Sequence, residues 1–172
     1  MVTTAPRWLT DDEQHTWLAF LYAHRLLFEQ IERDIQREAG MPLAYYQILV
    51  VLSAHPDRTM RMSELADASS SSRSRLSHTI DRMEASGWVR REVCPSDRRG
   101  ALAVLTDEGM AVLQAAAPDH VESVRVHLFD QLSPREVANL REVSQTLVRH
   151  LLGSLGRPPS FLPEEYGGVE AT

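Results

Sequence analysis

Apolar positions recur every three or four residues along most of the chain, a period that predicts helices. Trp17, Phe20, Leu21, His24, Phe28, Ile31 and Ile35 form one stripe running to about Ala39. Thr10 and the acids at 11–13 open that helix, and Gly40 ends it. Its length exceeds the usual ~10–14 residues, so it is expected to reach another element or another subunit. Tyr45, Ile48, Leu49 and Leu52 give a second helix its buried face, with Pro42 as first helical residue and His55-Pro56-Asp57 as the break. A short strand at Thr59-Met60-Arg61 precedes a third helix from Ser63, its expected cap, to about Ala68.

Leu76, Ile80 and Met83 fall at i, i+4 and i+7 and mark a fourth helix, capped by Ser71 or Ser72 and stopped by Gly87. Period two then replaces period 3.6. Trp88 to Arg91 and Ala101 to Leu105 read as strands around a loop from Cys94 to Gly100. Thr106, with Asp107 and Glu108, opens a fifth helix that Pro118 should kink and that Val121, Val124 and Leu128 continue. Ser133 and Glu136 form a capping box around Pro134, with Leu132 stapling to Val137. Val137, Leu140, Ser144, Leu147 and Leu151 then line a sixth helix.

These elements predict a mainly α (α+β) protein with a winged helix-turn-helix core, a small β-hairpin wing and flanking dimerisation helices. The expected divisions are an arm at 1–10, a dimerisation helix at 11–41, a winged domain at 42–105, C-terminal dimerisation helices at 106–155 and a Gly/Pro-rich tail at 156–172. Terminal helices with apolar stripes bury poorly in a monomer, so a symmetric homodimer is expected. No apolar run approaches the ~18 residues of a membrane span, and no secretory signal is visible, which reads as a cytoplasmic protein.

Charge sharpens the picture. The chain carries −6 overall, yet residues 58–99 hold nine arginines against six acids while the remainder holds nine against eighteen. A basic footprint on an acidic body is the sign asymmetry of a polyanion-binding face. Arg73, Ser74, Arg75, Ser77, His78 and Arg82 lie opposite the apolar stripe of the fourth helix. Such groups meet phosphates and base edges, and serines near a helix start, Ser71 and Ser72 included, add donors. Arg90, Arg91 and Arg98 crowd the hairpin, and like charges without enough partners call for an external anion. Asp97 and Arg99, two apart, face one side of an extended strand.

The stretch Glu64-Leu65-Ala66, Asp81-Arg82-Met83-Glu84, Gly87, Val89-Arg90-Arg91, Asp97-Arg98-Arg99 and Leu105-Thr106 to Gly109 resembles the signature of the MarR family of bacterial transcriptional regulators. Flanking helices extend the resemblance over roughly residues 11–152. It departs in the turn Ser69 to Ser72, where the family usually carries an apolar residue. The resemblance implies a dimer on a pseudo-palindromic double-stranded DNA operator, nucleoid-associated when bound. It implies that Asp97 shapes the wing while Arg99 enters the minor groove beside Arg98. It also implies a pocket for a small aromatic or phenolic acid where the dimer helices meet the winged domain. Trp17, Phe20, His24, Arg25, Tyr45 and Tyr46 are the candidates for that pocket, and core packing is the alternative for the aromatics.

Two rivals stay open. Cys94 could make the protein a redox-responsive regulator, although thiol-sensing relatives place their cysteine near the start of the first helix, where this chain has Asp11 to Gln14. A winged helix used only for protein–protein contact would explain the fold without DNA. The seven histidines show no paired ligand spacing, and neither a phosphate-binding glycine loop nor a GxSxG motif occurs. No metal, no cofactor and no enzymatic activity are therefore expected.

Overall fold

The computed structural model describes residues 6–94 and 97–155, and the backbone but not the side chains of Arg98 and Arg99. Helices α1 (Asp11–Ala39), α2 (Leu43–Ala54), α3 (Met62–Ala68), α4 (Arg73–Ala85), α5 (Asp107–His127) and α6 (Pro134–Ser154) surround strands β1 (Thr59–Arg61), β2 (Val89–Cys94) and β3 (Asp97–Leu105). The strands form one antiparallel sheet in the order β1-β3-β2. Thr59 pairs with Val104, and Val89 pairs with Leu105. This is a winged helix between long flanking helices. No described helix is long and apolar enough to cross a membrane.

One core holds the winged part together. Leu49 and Leu52 of α2, Leu65 of α3, Leu76, Ile80 and Met83 of α4, Val89 of β2 and Leu105 of β3 are buried together, with Leu113 and Ala116 of α5 against them. Each fully buried leucine contributes roughly 1.5–3 kcal/mol, so these few positions dominate the packing. The flanking helices behave differently. In α1 only Ile31, Asp34 and Ile35 are buried, and in α6 nothing is. Trp17, Phe20, Leu21 and Phe28 on α1, and Leu140, Val143, Leu147 and Leu151 on α6, stand exposed. A helix whose apolar stripe is left uncovered by the described residues is amphipathic toward something else.

Helix ends follow from local chemistry. Thr10 and Glu13 form a reciprocal capping box, as do Ser133 and Glu136. Gly40 closes α1 at φ 66°. At the end of α4, Gly87 N–H donates to Glu84 O and Trp88 N–H to Met83 O, with Gly87 at φ 77°. The end of α3 uses the same paired bonds, Ser70 to Asp67 and Ser71 to Ala66, but places Ser70 at φ 49° where glycine is usual. Ser69 Oγ donates to Leu65 O at 2.6 Å and supports that turn.

Several expectations shift. Pro42 is the N-cap of α2, one residue before its expected place. Arg61 rather than Ser63 caps α3, through backbone alone, because the helix begins directly at the end of β1. The hairpin strands run on to Cys94 and back from Asp97, so Cys94 and Asp97 to Gly100, expected in the loop, belong to strands. Alternation stops predicting a strand where both faces are polar, which is why Glu92 and Asp97 to Gly100 escaped it. Helix α5 continues through Pro118 as one element. Val121 is exposed, while Ser123 is buried in its stead. The expected tail at 156–172 and part of the arm lie outside the described residues.

Candidate nucleic-acid interface

Helix α4 presents one polar face by construction. Ser72 caps it, its Oγ accepting the Arg75 N–H at 3.2 Å. Leu76, Ile80 and Met83 fix the inner face, so Arg73, Ser74, Arg75, His78 and Arg82 are exposed. Ser71 is half-buried in the preceding turn. Two shallow hollows flank the helix. Ser72, Ser74, Arg75, His78 and Arg82 line the one shared with Pro42 and Tyr45 of the α2 end. Arg73 lines the other, with Arg61, Ser63, Asp97 and Gly100 at the base of the wing. Arg73 and Arg75 therefore serve opposite flanks, which helical spacing of two residues requires. Arg61 and Thr79 join the lining without having been expected, and Tyr45, expected in the ligand pocket, lies here instead. Only knowledge of which elements pack beside α4 would have found them.

Among the described residues, none of Arg73, Arg75 and Arg82 has a carboxylate partner. His78 has only a loose approach to Asp81, Nδ1 to Oδ2 at 3.8 Å. The hairpin arginines differ, and this corrects the expectation that they lack partners. Arg90 pairs with Glu92 at 2.8 Å. Arg91 pairs with Asp81 at 2.7 Å and Glu84 at 2.8 Å, and donates to the Ser77 carbonyl at 2.9 Å. Ser77 is accordingly half-buried and turned toward β2, not grouped with the open face of α4. Asp97 is exposed, with its carbonyl and Oδ2 close above Gly100. The side chains of Arg98 and Arg99 lie outside the described residues.

The proposed pocket residues do not come together within one chain. Trp17, Phe20, His24 and Phe28 form a ladder along α1, with His24 and Phe28 rings 4.7 Å apart. Arg25 stacks on Tyr22 of the same helix, its Cζ 5.2 Å from the ring centre. Tyr45 instead meets Trp88 edge-on, and Tyr46 is buried against His120 at 4.3 Å. Burial pushes the Tyr46 hydroxyl up and the His120 imidazole down. His120 Nδ1 is buried without a hydrogen-bond partner among the described residues. Cys94 is only 4% exposed, a position that keeps a thiol from oxidants. No cluster of metal-ligating side chains occurs among the described residues.

Comparison with known proteins adds an independent line. A family model described as MarR family matches residues 39–100. The transcriptional regulator PecS of Dickeya dadantii is 33% identical over 92 residues, 54% of this chain and 55% of PecS. The chain thus matches only about half the length of that relative. The transcriptional regulator HosA of Escherichia coli O111:H- is 30% identical over 131 residues, 76% of this chain and 92% of HosA. Among solved structures, Sco3205, a MarR family regulator of Streptomyces coelicolor in complex with DNA, is 48% identical with a TM-score of 0.80. That similarity covers 87% of this chain and 93% of Sco3205.

Proposed function

This chain belongs to the MarR family of transcriptional regulators, and from that premise we propose that it binds double-stranded DNA sequence-specifically as a homodimer. One observation carries the reading: Arg73, Arg75 and Arg82 stand exposed along α4 without a carboxylate partner among the described residues, while the neighbouring Arg90 and Arg91 are paired. Unneutralised guanidiniums at a helix start suit phosphates and guanine edges, where a good bidentate pair is worth ~1–3 kcal/mol of discrimination. The structure of Sco3205 with DNA supports the same assignment.

In this reading residues 42–105 meet the DNA, and residues 11–41 with 106–155 pair the protomers. Ser71, Ser72 and Ser74 hold phosphates beside the first turn of α4, and Arg75, His78 and Arg82 face the major groove. The wing, through Asp97, Arg98 and Arg99, lies over the minor groove. Two recognition helices on a two-fold axis select a pseudo-palindrome with half-sites separated by about one turn, ~10 bp.

The finer reading is a repressor released by a small aromatic or phenolic acid. A dimer seated across a promoter excludes polymerase, and the exposed ring ladder of α1 supports an aromatic effector. Such a ligand would favour a dimer whose helices are wrongly spaced, so it must raise thermal stability and lower operator affinity together. Genome-wide recovery of bound DNA tests the main reading. A shared pseudo-palindrome among recovered fragments supports it, and random fragments overturn it. The recovered duplex then tests the finer reading: an aromatic carboxylate such as salicylate that stabilises the protein without weakening operator binding is not an effector.

A further inference from the structure

Arg91 reaches across from β2 and holds α4 at three points. Its Nη2 donates to the Ser77 carbonyl at 2.9 Å, its Nη1 meets Asp81 Oδ1 at 2.7 Å and Glu84 Oε2 at 2.8 Å, and its backbone N–H donates to Glu84 Oε1 at 2.9 Å. Residues 77, 81 and 84 fall at i, i+4 and i+7, one line along the helix. Two of them sit next to proposed base readers, Ser77 beside His78 and Asp81 beside Arg82. The Arg91 side chain is 24% exposed and its donors are directed at α4, whereas Arg73, Arg75 and Arg82 are exposed and without a carboxylate partner among the described residues. A planar guanidinium used on several acceptors at once fixes an orientation as well as a distance.

Reading bases needs that orientation. A side-chain tip ~6 Å from a helix axis moves ~2 Å when the helix turns by 20°, enough to lose a bidentate contact. The buried leucine, isoleucine and methionine of α4 resist large rotation, but apolar contacts are not directional. The polar clamp supplies the direction.

We propose that Arg91 is a positioning residue for base reading: held by Ser77, Asp81 and Glu84, it sets the rotation of α4 against the wing and makes no contact with DNA. The proposal rests on the reading of the chain as a sequence-specific DNA binder, and it separates Arg91 from the arginines around it. A phosphate contact and a positioning residue fail differently. Loss of a phosphate contact weakens all sequences and lowers the salt slope by about one. Loss of a positioning residue weakens the operator and spares non-specific binding.

The test is affinity for a recovered operator and for its scrambled duplex, across a salt series, using the full chain and its Arg91→Gln, Glu84→Gln and double variants. Arg91→Gln should lower operator affinity about tenfold while scrambled-duplex affinity stays within about twofold at unchanged slope. Glu84→Gln should also weaken the operator, although it removes a negative charge near DNA. The double variant should be no worse than Arg91→Gln alone, because both break one clamp. Equal losses on both duplexes with a reduced slope, tighter binding by Glu84→Gln, or an unchanged operator affinity would each overturn the proposal. If Arg91→Gln loses its fold, Glu84→Gln carries the same comparison with every arginine in place. A wild-type chain that fails to prefer the operator contradicts the DNA-binding reading itself, which is a distinct outcome.

Discussion

Asp34 and His127 stand 93 positions apart in the chain, yet His127 Nε2 lies 2.8 Å from Asp34 Oδ2. Ser123 Oγ donates to the same oxygen at 2.7 Å. Gln30 and Arg37 meet the other oxygen at 3.2 and 3.1 Å. One buried carboxylate therefore pins the C-terminal end of α5 to the only part of α1 that enters the core. Left unpaired, such a charge would be costly; with four partners it fixes the angle at which α1 leaves the winged domain.

The Ser123 hydroxyl holds the Asp34 carboxyl below the usual carboxylate range, with His127, Gln30 and Arg37 adding to it and burial opposing. A depressed folded-state pKa contributes stability above the unfolded value and loses it as pH falls through the folded one. Asp34→Asn should cost about 2 kcal/mol at neutral pH. Its deficit against wild type should narrow as pH falls below about 4. Urea unfolding of both proteins across that range checks this, and a deficit independent of pH would mean the charge contributes nothing.

Gly109 is the point where α5 docks on the sheet. A Cβ there would stand 2.1 Å from the Trp88 carbonyl oxygen and 2.8 Å from Leu105 Cδ1. Thr106 fixes the approach, its hydroxyl donating to Gly87 O at 2.7 Å and accepting the Gly109 N–H at 2.9 Å. Backbone cannot yield as a flexible side chain can, so Gly109→Ala should destabilise by about 3 kcal/mol. Thermal unfolding measures it, and a loss below about 1 kcal/mol would show that α5 shifts freely.

What the sequence revealed, and what it hid, follows from range. Period 3.6, capping residues and Gly87 are local signals, and they located five of the six described α-helices and the αL turn after α4, whereas the cap expected for α3 was misplaced. The short strand at Thr59 to Arg61 was legible because a winged helix needs a third strand. Arg91 was misread because composition counts charges but cannot say which face of a strand meets which helix. The Asp34 cluster was invisible for the same reason: Asp34 and Ser123 look like solvent-facing residues until α1 and α5 are packed together. Tyr45 and Tyr46 were grouped with Trp17 by residue type, whereas their neighbours are Trp88 and His120.

Cys94 offers a clean negative. Buried at the end of β2, it should leave DNA binding unaffected by peroxide, with wild type and Cys94→Ser equally insensitive. Peroxide release of wild type but not of Cys94→Ser would restore the redox reading.

Leu147 and Leu151 stand one turn apart on α6, each at least 43% exposed in the single chain. If they cover a second copy, sedimentation of wild type at micromolar concentration should give a dimer. Leu147→Glu or Leu151→Glu should shift it toward monomer, with operator binding lost in step. A well-folded wild-type monomer would rule out the paired-helix arrangement.

The most direct measurement is competition between a recovered pseudo-palindromic operator and its scrambled duplex, across salt, for wild type and Arg75→Ala. Wild type should prefer the operator at least ~10³-fold at physiological salt. Its affinity should fall steeply as salt rises, because arginines that meet no carboxylate among the described residues displace counterions. Arg75→Ala should relax base preference within a half-site by roughly 1–3 kcal/mol. Equal binding of wild type to both duplexes, or affinity indifferent to salt, would contradict DNA reading by α4.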